Sequence, residues 1–493
     1  MNRLLRKYRS LSPAIKASLW FVVCSALQKA ALILTTPIYA RLLTQTQFGE
    51  YKVFQSWVEV TLILTTLDIF YSGYNVGLEK YREDRKMYTS AMHGLSIALT
   101  SFWCLIGMPF AEYMGPLMRI SPTQFRLLLV YMYVFPIYQF WSSRKKYEYQ
   151  YKMLVVVTGM TTLLSIAFGT VAAIISENKS DWLIFVRVAV EGVIAIPLLV
   201  TSVRGIKSLY NKFYWKNALK FNIPLMPHYL SAMILNHSDV LMIDIICGKA
   251  YAGMYSLVYS IAIVITVVQN AVSSAIVPWM YKKLRTQDFK GMRKITTGVI
   301  GAMALLNISL ILLAPEAVAV MGPPEYAEAV YIVPPIAFGV FLTMIYTLFS
   351  HVEFFYHNNR FAATASFIAA LSNIVLNYIF LGKFGYMAAG YTTFISYFLL
   401  MILHWRGLIR CTRKNDASWR DVFDAKNISL MIGGFAVCAF AIMETYRFNL
   451  LRYGLMLSIL ALIVVNRKRI SLFVNQFTHT DERTDETSTV RPK

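Results

Sequence analysis

The sequence predicts an all-α integral membrane protein with about fourteen membrane-spanning helices. Composition is the first indication, because 57% of the 493 residues are hydrophobic and only 15% are charged. Second, apolar runs of about 18 or more residues recur along the chain, and this length spans the hydrocarbon core of a bilayer. Third, basic residues concentrate in alternate loops between these runs. A soluble globular domain does not show this combination.

The apolar runs set the expected order of the spans. Each is long enough to cross about 30 Å of hydrocarbon as a helix that rises about 1.5 Å per residue. The first run follows a basic N-terminus, but it is too long for a signal peptide and no small-residue cleavage site closes it, so we interpret it as an uncleaved span. The predicted spans are 15–40, 53–78, 89–110, 125–142, 153–176, 182–203, 222–246, 252–278, 295–314, 330–356, 361–382, 386–405, 428–446 and 450–466.

The loop charges predict the topology. A net charge of +22 would suggest nucleic-acid binding in a soluble protein, but here the Lys and Arg residues lie in short loops. They favour one set of alternate loops by roughly four to one, as the positive-inside rule requires for cytoplasmic loops. An even number of spans with both termini in the cytoplasm follows, and we expect no nucleic-acid partner. The polar tail after Asn466 is expected to be disordered.

A weak internal repeat indicates two lobes. The segment FGEY at 48–51 resembles AGMY at 252–255, and the same separation relates Lys179 to Lys383. Parallel six-helix repeats would place a binding site near the middle of the membrane, between the lobes. The expected divisions are a basic cytoplasmic N-terminus (1–14), an N-terminal lobe of six helices (15–203), a cytoplasmic linker (204–221), a second lobe of six (222–405), a cytoplasmic loop (406–427), two extra C-terminal helices (428–466) and a cytoplasmic tail (467–493).

Several short motifs follow one another in an order that is typical of one family. They are RLLT at 41–44 followed by FGEY at 48–51, NIP at 222–224 with Pro227, Asp239 and GMY at 253–255, GPPEY at 322–326, NIVLNY at 373–378, and KFGY at 383–386. Over about residues 10–405 the chain thus resembles polysaccharide flippases. These are the Wzx-type O-antigen and repeat-unit translocases of the multidrug/oligosaccharidyl-lipid/polysaccharide exporter superfamily, and the resemblance implies a MATE-like pair of six-helix lobes.

The resemblance also implies a function and partners. Such a flippase moves oligosaccharide repeat units linked to undecaprenyl pyrophosphate across the bacterial inner membrane by alternating access, for O-antigen, capsule or exopolysaccharide synthesis. Beside the lipid bilayer, a polysaccharide polymerase and a chain-length regulator are the expected partners. One alternative is a multidrug or cation antiporter of the same superfamily, whose cavity should favour acidic residues. Another is a polytopic glycan polymerase, which should carry a large external loop.

Ionisable residues inside the spans are the candidate functional residues, because each costs at least about 2.5 kcal/mol to bury in a bilayer. The implied substrate is anionic at its pyrophosphate, so cations that face a wet cavity are the expected binding groups. The substrate-binding candidates are Lys29, Arg187, His237 and His351, and the ion-coupling candidates are Asp68, Asp239 and Asp244. Asp239 belongs to the family motifs, and a structural role is its alternative.

The best cationic candidates have structural alternatives as well. Arg187 and Glu191 are four residues apart on one helix, so they can neutralise each other. Lys29 can pair with Asp68 or Glu59 to hold two helices together.

The sequence contains no sign of a cofactor, a metal centre or a catalytic site. Its five cysteines are scattered, without CxxC or Cys/His spacing. Nucleophile elbows, P-loops and loops with paired carboxylates are absent from the sequence. We therefore expect a transport protein without cofactor or bound metal rather than an enzyme.

Overall fold

The structure is a computed structural model that describes Trp20 and residues 35–205, 208–415 and 418–466. A helical stretch at 35–42 precedes the first complete helix. In chain order the α-helices are α1 (Gln45–Thr66), α2 (Ser72–Lys80), α3 (Arg85–Gly107), α4 (Ala111–Leu117), α5 (Pro122–Tyr147), α6 (Tyr151–Ile175), α7 (Lys179–Val203), α8 (Lys212–Asn222), α9 (Met226–Ile246), α10 (Lys249–Thr286), α11 (Phe289–Leu312), α12 (Ala314–Met321), α13 (Val333–Phe355), α14 (Asn359–Phe384), α15 (Ala388–Lys414), α16 (Trp419–Val422), α17 (Ala425–Glu444) and α18 (Asn449–Val465).

Ten helical segments in the described part of the chain are long and apolar enough to cross a membrane. They are Arg82–Gly107, Tyr151–Ile175, Lys179–Val203, Lys212–Ile246, Lys249–Thr286, Phe289–Leu312, Pro324–Phe355, Arg360–Phe384, Ala388–Lys414 and Ala425–Arg447. The predicted class, an all-α protein that crosses the membrane many times, is therefore confirmed. The predicted spans 53–78, 125–142 and 450–466 are not among these ten segments, and most of the predicted span 15–40 lies outside the described residues. The total of about fourteen and the repeat therefore remain predictions.

The second predicted span, 53–78, differs from the structure at both ends. Helix α1 begins earlier, at Gln45, because Thr44 and Gln47 form a capping box. It ends at Thr66, since Leu67 and Asp68 both have left-handed backbone angles, with φ of 53° and 47°. The chain turns there and resumes as α2, which a hydropathy pattern does not reveal.

The chain divides into two compact units that do not follow the order of the sequence. Unit 1 contains the described residues up to Val267 together with Val318–Ile332 and Ala363–Ser396. Unit 2 contains Val268–Ala317, Val333–Ala362 and the described residues from Tyr397 onward. The lobe boundaries expected from the repeat stay predictions.

In unit 1 the two glycines of the repeated segments touch each other. A Cβ atom on Gly49 would lie 1.8 Å from the carbonyl oxygen of Lys249, and one on Gly253 would lie 2.9 Å from that of Gln45. Only glycine permits this approach of the first turns of α1 and α10. The contact fixes the position of α1, whose next turns line the site described below.

In unit 2 the last two helices pack tightly onto the preceding ones. The ring of Phe435 in α17 stacks on Phe341 in α13, with centroids 4.7 Å apart. Arg452 in α18 is only 1% exposed, and its guanidinium binds Glu316 in α12. Phe435 and Arg452 thus anchor the last two helices to unit 2, while most apolar side chains of α18 are exposed.

Candidate functional site

A cavity of about 270 Å³, with polar and apolar side chains in its wall, lies among α1, α5, α6, α7 and the stretch at 35–42, all in unit 1. Its wall is rich in hydroxyl and amide groups, because tyrosines, threonines and glutamines of several helices point into the same space. Ser165 contributes a buried hydroxyl oxygen without a hydrogen-bond partner. The other polar wall residues include Tyr39, Tyr51, Gln55, Tyr131, Tyr138, Gln139, Thr158, Thr161 and Thr162.

Arg187 of α7 reaches this cavity as one member of a closed triad. Its Nε donates to Glu191 Oε1 at 3.1 Å, and its Nη2 donates to the Tyr131 hydroxyl at 3.2 Å. The Tyr131 hydroxyl donates in turn to Glu191 Oε2 at 2.7 Å. The charge of Arg187 is therefore balanced on its own helix, which is the alternative that the spacing of four residues predicts.

A second cavity, of about 230 Å³, shares Arg187 with the first. Helices α9 and α10 form its other side and contribute His237 and Tyr259. Helix α1 contributes Lys52 and the exposed Glu59. The structure thus brings together two of the predicted substrate-binding residues, Arg187 and His237.

Lys52 is the functional candidate that the sequence reasoning missed. Its side chain is buried, at 9% exposure, and lines the second cavity. Its Nζ lies 5.3 Å from the centre of the Phe48 ring, and no carboxylate of the described residues forms a salt bridge with it. The loop-charge pattern places Lys52 in an external segment. Its position four residues after Phe48, on a face that continues to Ser56, was the available signal of burial.

Asp239 of α9 lies in a buried polar network of unit 1. The carboxylate accepts hydrogen bonds from Tyr255 and Asn377, each at 2.6 Å, and from the Thr393 hydroxyl. Asn377 also donates to Asn373 at 3.3 Å. All three donors to Asp239 are neutral, so hydrogen bonds rather than a counter-ion accommodate the carboxylate. These oxygen-bearing side chains come from α9, α10, α14 and α15.

The remaining predicted site residues lie elsewhere. Asp244 accepts a hydrogen bond from Arg119 Nε at 3.1 Å. Asp68 lies on the left-handed turn after α1. His351 belongs to unit 2, where its Nδ1 is 3.5 Å from the Tyr281 hydroxyl, and does not line the two cavities. Lys29 lies outside the described residues.

The family of the chain follows from its sequence. The family described as polysaccharide biosynthesis protein matches residues 14–283, which is more than half of the chain. The chain belongs to the polysaccharide biosynthesis protein family. The match covers α1 to most of α10 and hence both cavities. No curated protein matches the chain.

Solved structures share the fold of this family member at low sequence identity. A lipid II flippase MurJ in an inward closed conformation is 13% identical, with a TM-score of 0.67 over 92% of this chain and 100% of that one. An outward-facing multidrug resistance MATE family transporter of the MOP superfamily is 12% identical, with a TM-score of 0.57 over 84% of this chain and 99% of that one. A MOP superfamily transporter from Pyrococcus furiosus, described as having a binding pocket of reverse polarity, is 12% identical, with a TM-score of 0.52 over 82% and 95%. The fold is therefore MurJ- and MATE-like.

Proposed function

We propose that the protein is a flippase that moves oligosaccharide repeat units linked to undecaprenyl pyrophosphate across the bacterial inner membrane by alternating access, with both termini in the cytoplasm. The observation that carries this proposal is the hydroxyl-lined cavity among membrane helices in a member of a polysaccharide biosynthesis family. Hydroxyl and amide groups hydrogen-bond sugars, and tyrosine rings offer flat faces to them. The similarity of the fold to that of a lipid II flippase supports a lipid as the cargo.

The two cavities divide the work in this proposal. The first holds sugars, since hydroxyl and amide side chains stand among the apolar residues of its wall and Arg187 is neutralised within it. The second holds an anionic group of the substrate, because Lys52 is buried beside it without a carboxylate partner. His237 adds a further donor there, and Lys29 stays a candidate for the same task.

Asp239 is the proposed site of the coupling cation. The hydroxyl oxygens of Tyr255 and Thr393 lie beside the Asp239 carboxylate, and together they offer the hard oxygen ligands that a small monovalent cation prefers. Asp244 is a weaker candidate, because Arg119 already neutralises it. Asp68 remains a candidate without support from its contacts.

The first experiment measures the sidedness of a fluorescent undecaprenyl-pyrophosphate oligosaccharide in reconstituted vesicles. Native protein should move the glycan. Lys29→Ala and Lys52→Gln should fold and move it at least about tenfold more slowly, as loss of a charge-assisted contact predicts. Arg187→Ala should slow transport less, because Glu191 already balances the charge of Arg187. Lys86→Gln, which changes an exposed lysine on α3, is the control and should be fully active.

Other outcomes decide between the alternatives. If native protein moves no glycan but expels organic cations against an ion gradient, the antiporter function replaces this proposal. If the purified protein lengthens the glycan in detergent, the polymerase function does so. If Asp239→Asn leaves transport dependent on the same cation gradient, the coupling site lies elsewhere.

A further inference from the structure

Unit 2 contains a buried acid–base pair that the proposed function does not use. Glu353 of α13 and His404 of α15 meet with Oε1 3.1 Å from Nδ1, and their side chains are 0% and 3% exposed. The ring of Tyr346, on α13, stacks on His404 with centroids 5.4 Å apart. The closed surroundings keep water away from both groups.

The carboxylate of Glu353 is pressed against the backbone of α15. A Cβ atom on Gly407 would lie 2.3 Å from Glu353 Oε1, so the glycine makes room for the pair. The second carboxylate oxygen, Oε2, is buried and has no hydrogen-bond partner. His404 is therefore the group that balances Glu353.

The charged and titratable groups on neighbouring helices do not pair with Glu353 or His404 in the part of the chain that the structure describes. The thiol of Cys411, one turn beyond Gly407, is near enough to sense the charge of Glu353. Two other charged or titratable groups near α13 are half-buried: Lys283 on α10 is bound to Asp288, and His351 on α13 lies beside Tyr281. The remaining ones are exposed, and Arg293 among them is bound to Asp424. These exposed residues are Lys282 and Arg285 on α10, Lys290, Arg293 and Lys294 on α11, Arg360 on α14, Arg406, Arg410, Arg413 and Lys414 on α15, and Lys426 and Glu444 on α17.

The number of protons bound to the pair decides its net charge in this buried site. The pair has no net charge only when it holds one proton, either as carboxylate and imidazolium or as carboxylic acid and imidazole. Losing that proton would leave a net negative charge in a dry site, which is costly. In water a carboxylic acid releases its proton near pH 4.3 and an imidazole near pH 6.5. A hydrated pair would therefore lose the proton at neutral pH.

We propose that Glu353 and His404 form a proton-binding site that keeps α13 and α15 closed while it holds one proton and lets them part when the proton leaves. Separation admits water to the pair, and high pH then favours the separated state. The site is distinct from the cation site at Asp239 and does not depend on the identity of the transported lipid.

Hydrogen exchange measured by mass spectrometry on the detergent-solubilised protein tests this proposal directly. After correction for the intrinsic rate, residues 349–356 and 402–410 of the native protein should open about twentyfold more often at pH 8 than at pH 6, because a hydrated imidazole, with a pKa near 6.5, keeps most of the proton at pH 6 and releases it at pH 8. The double variant Glu353→Gln/His404→Gln should open equally at both values. His351→Gln, on the same helix, should respond like the native protein.

Single variants keep the test informative if the double variant does not fold. His404→Gln leaves a lone carboxyl group and should strengthen the rise in opening with pH. Glu353→Gln leaves a lone imidazole and should reverse the response. If native protein and the variants show the same pH dependence, the pair is only a structural hydrogen bond and the proposal is wrong. Because no glycan is used, failure of the flippase function would not alter this result.

Discussion

Two buried cations, one in each unit, show how differently this protein accommodates a buried positive charge. Arg452 in unit 2 is 1% exposed and binds Glu316, Asn449 and the Leu312 carbonyl. Lys52 in unit 1 is 9% exposed, faces a cavity and has no carboxylate partner among the described residues. Arg452 thus holds helices together through its partners, whereas the ammonium of Lys52 is available to a ligand, as the proposed function requires.

The largest expected effect comes from Arg452. Arg452→Met leaves Glu316 with only the Tyr453 hydroxyl and removes the donor to Asn449, so it should lower the free energy of unfolding by about 2 kcal/mol. The thermal midpoint of the protein in detergent measures this. Arg447→Met, on the exposed turn before α18, is the control and should change the midpoint little. If Arg452→Met is as stable as the native protein, Arg452 does not hold the helices of unit 2 together.

Lys52→Met should act in the opposite direction on stability. Removing an unpaired ammonium from a buried position should leave the free energy of unfolding unchanged or raise it by about 1 kcal/mol, while glycan movement falls. Lys249→Met is the matched control. It removes the ammonium that lies 3.1 Å from Glu50 and leaves that carboxylate only the Ser180 hydroxyl, so it should destabilise the protein. If Lys52→Met destabilises as much as Arg452→Met, Lys52 has a structural role.

The Arg187 triad should give an intermediate effect. Arg187→Gln and Glu191→Gln each leave one charge unbalanced, so the double variant should be more stable than the sum of the single effects by about 1 kcal/mol. Unfolding of the three variants and the native protein in a double-mutant cycle gives this coupling energy. A coupling near zero would mean that Arg187 is free to bind the substrate as Lys52 is.

The smallest effect is expected at an exposed pair, which provides the baseline for the buried cations. A hydrogen bond from Lys283 holds the pKa of Asp288 below its usual value. The pair should therefore stabilise the protein at pH values above the usual carboxyl pKa, and this contribution is lost as the pH falls. Because Asp288 is 45% exposed, Asp288→Asn should cost only about 0.5 kcal/mol at pH 7 and less than that at pH 3. Thermal midpoints at the two pH values test this.

Much of the fold could be predicted from the sequence because a bilayer imposes simple rules on composition and length. The apolar runs predict helices, and the spacing of Arg187 and Glu191 predicts their contact. The break after Thr66 could not be predicted, since it depends on the left-handed backbone of Leu67 and Asp68.

The site was less predictable for a related reason. Whether a charged side chain is buried depends on neighbours far away in the sequence. Lys52 looks like a loop residue until α9 and α10 are placed beside it, and the partner of Glu353 lies 51 residues away. Local patterns carry no information about such contacts.

The contact between Gly49 and Gly253 lies near one end of α1, so a tilt of this helix would rotate it about that point. Lys52 lies one helical turn from this contact, whereas Thr66 lies about 25 Å from it along the helix axis. A tilt of about 15° would displace Lys52 by only about 1 Å but Thr66 by about 7 Å. If Lys52 binds an anion as proposed, its ammonium would stay in contact with that anion while the far end of α1 moves. The same helix would then hold the substrate and change its tilt.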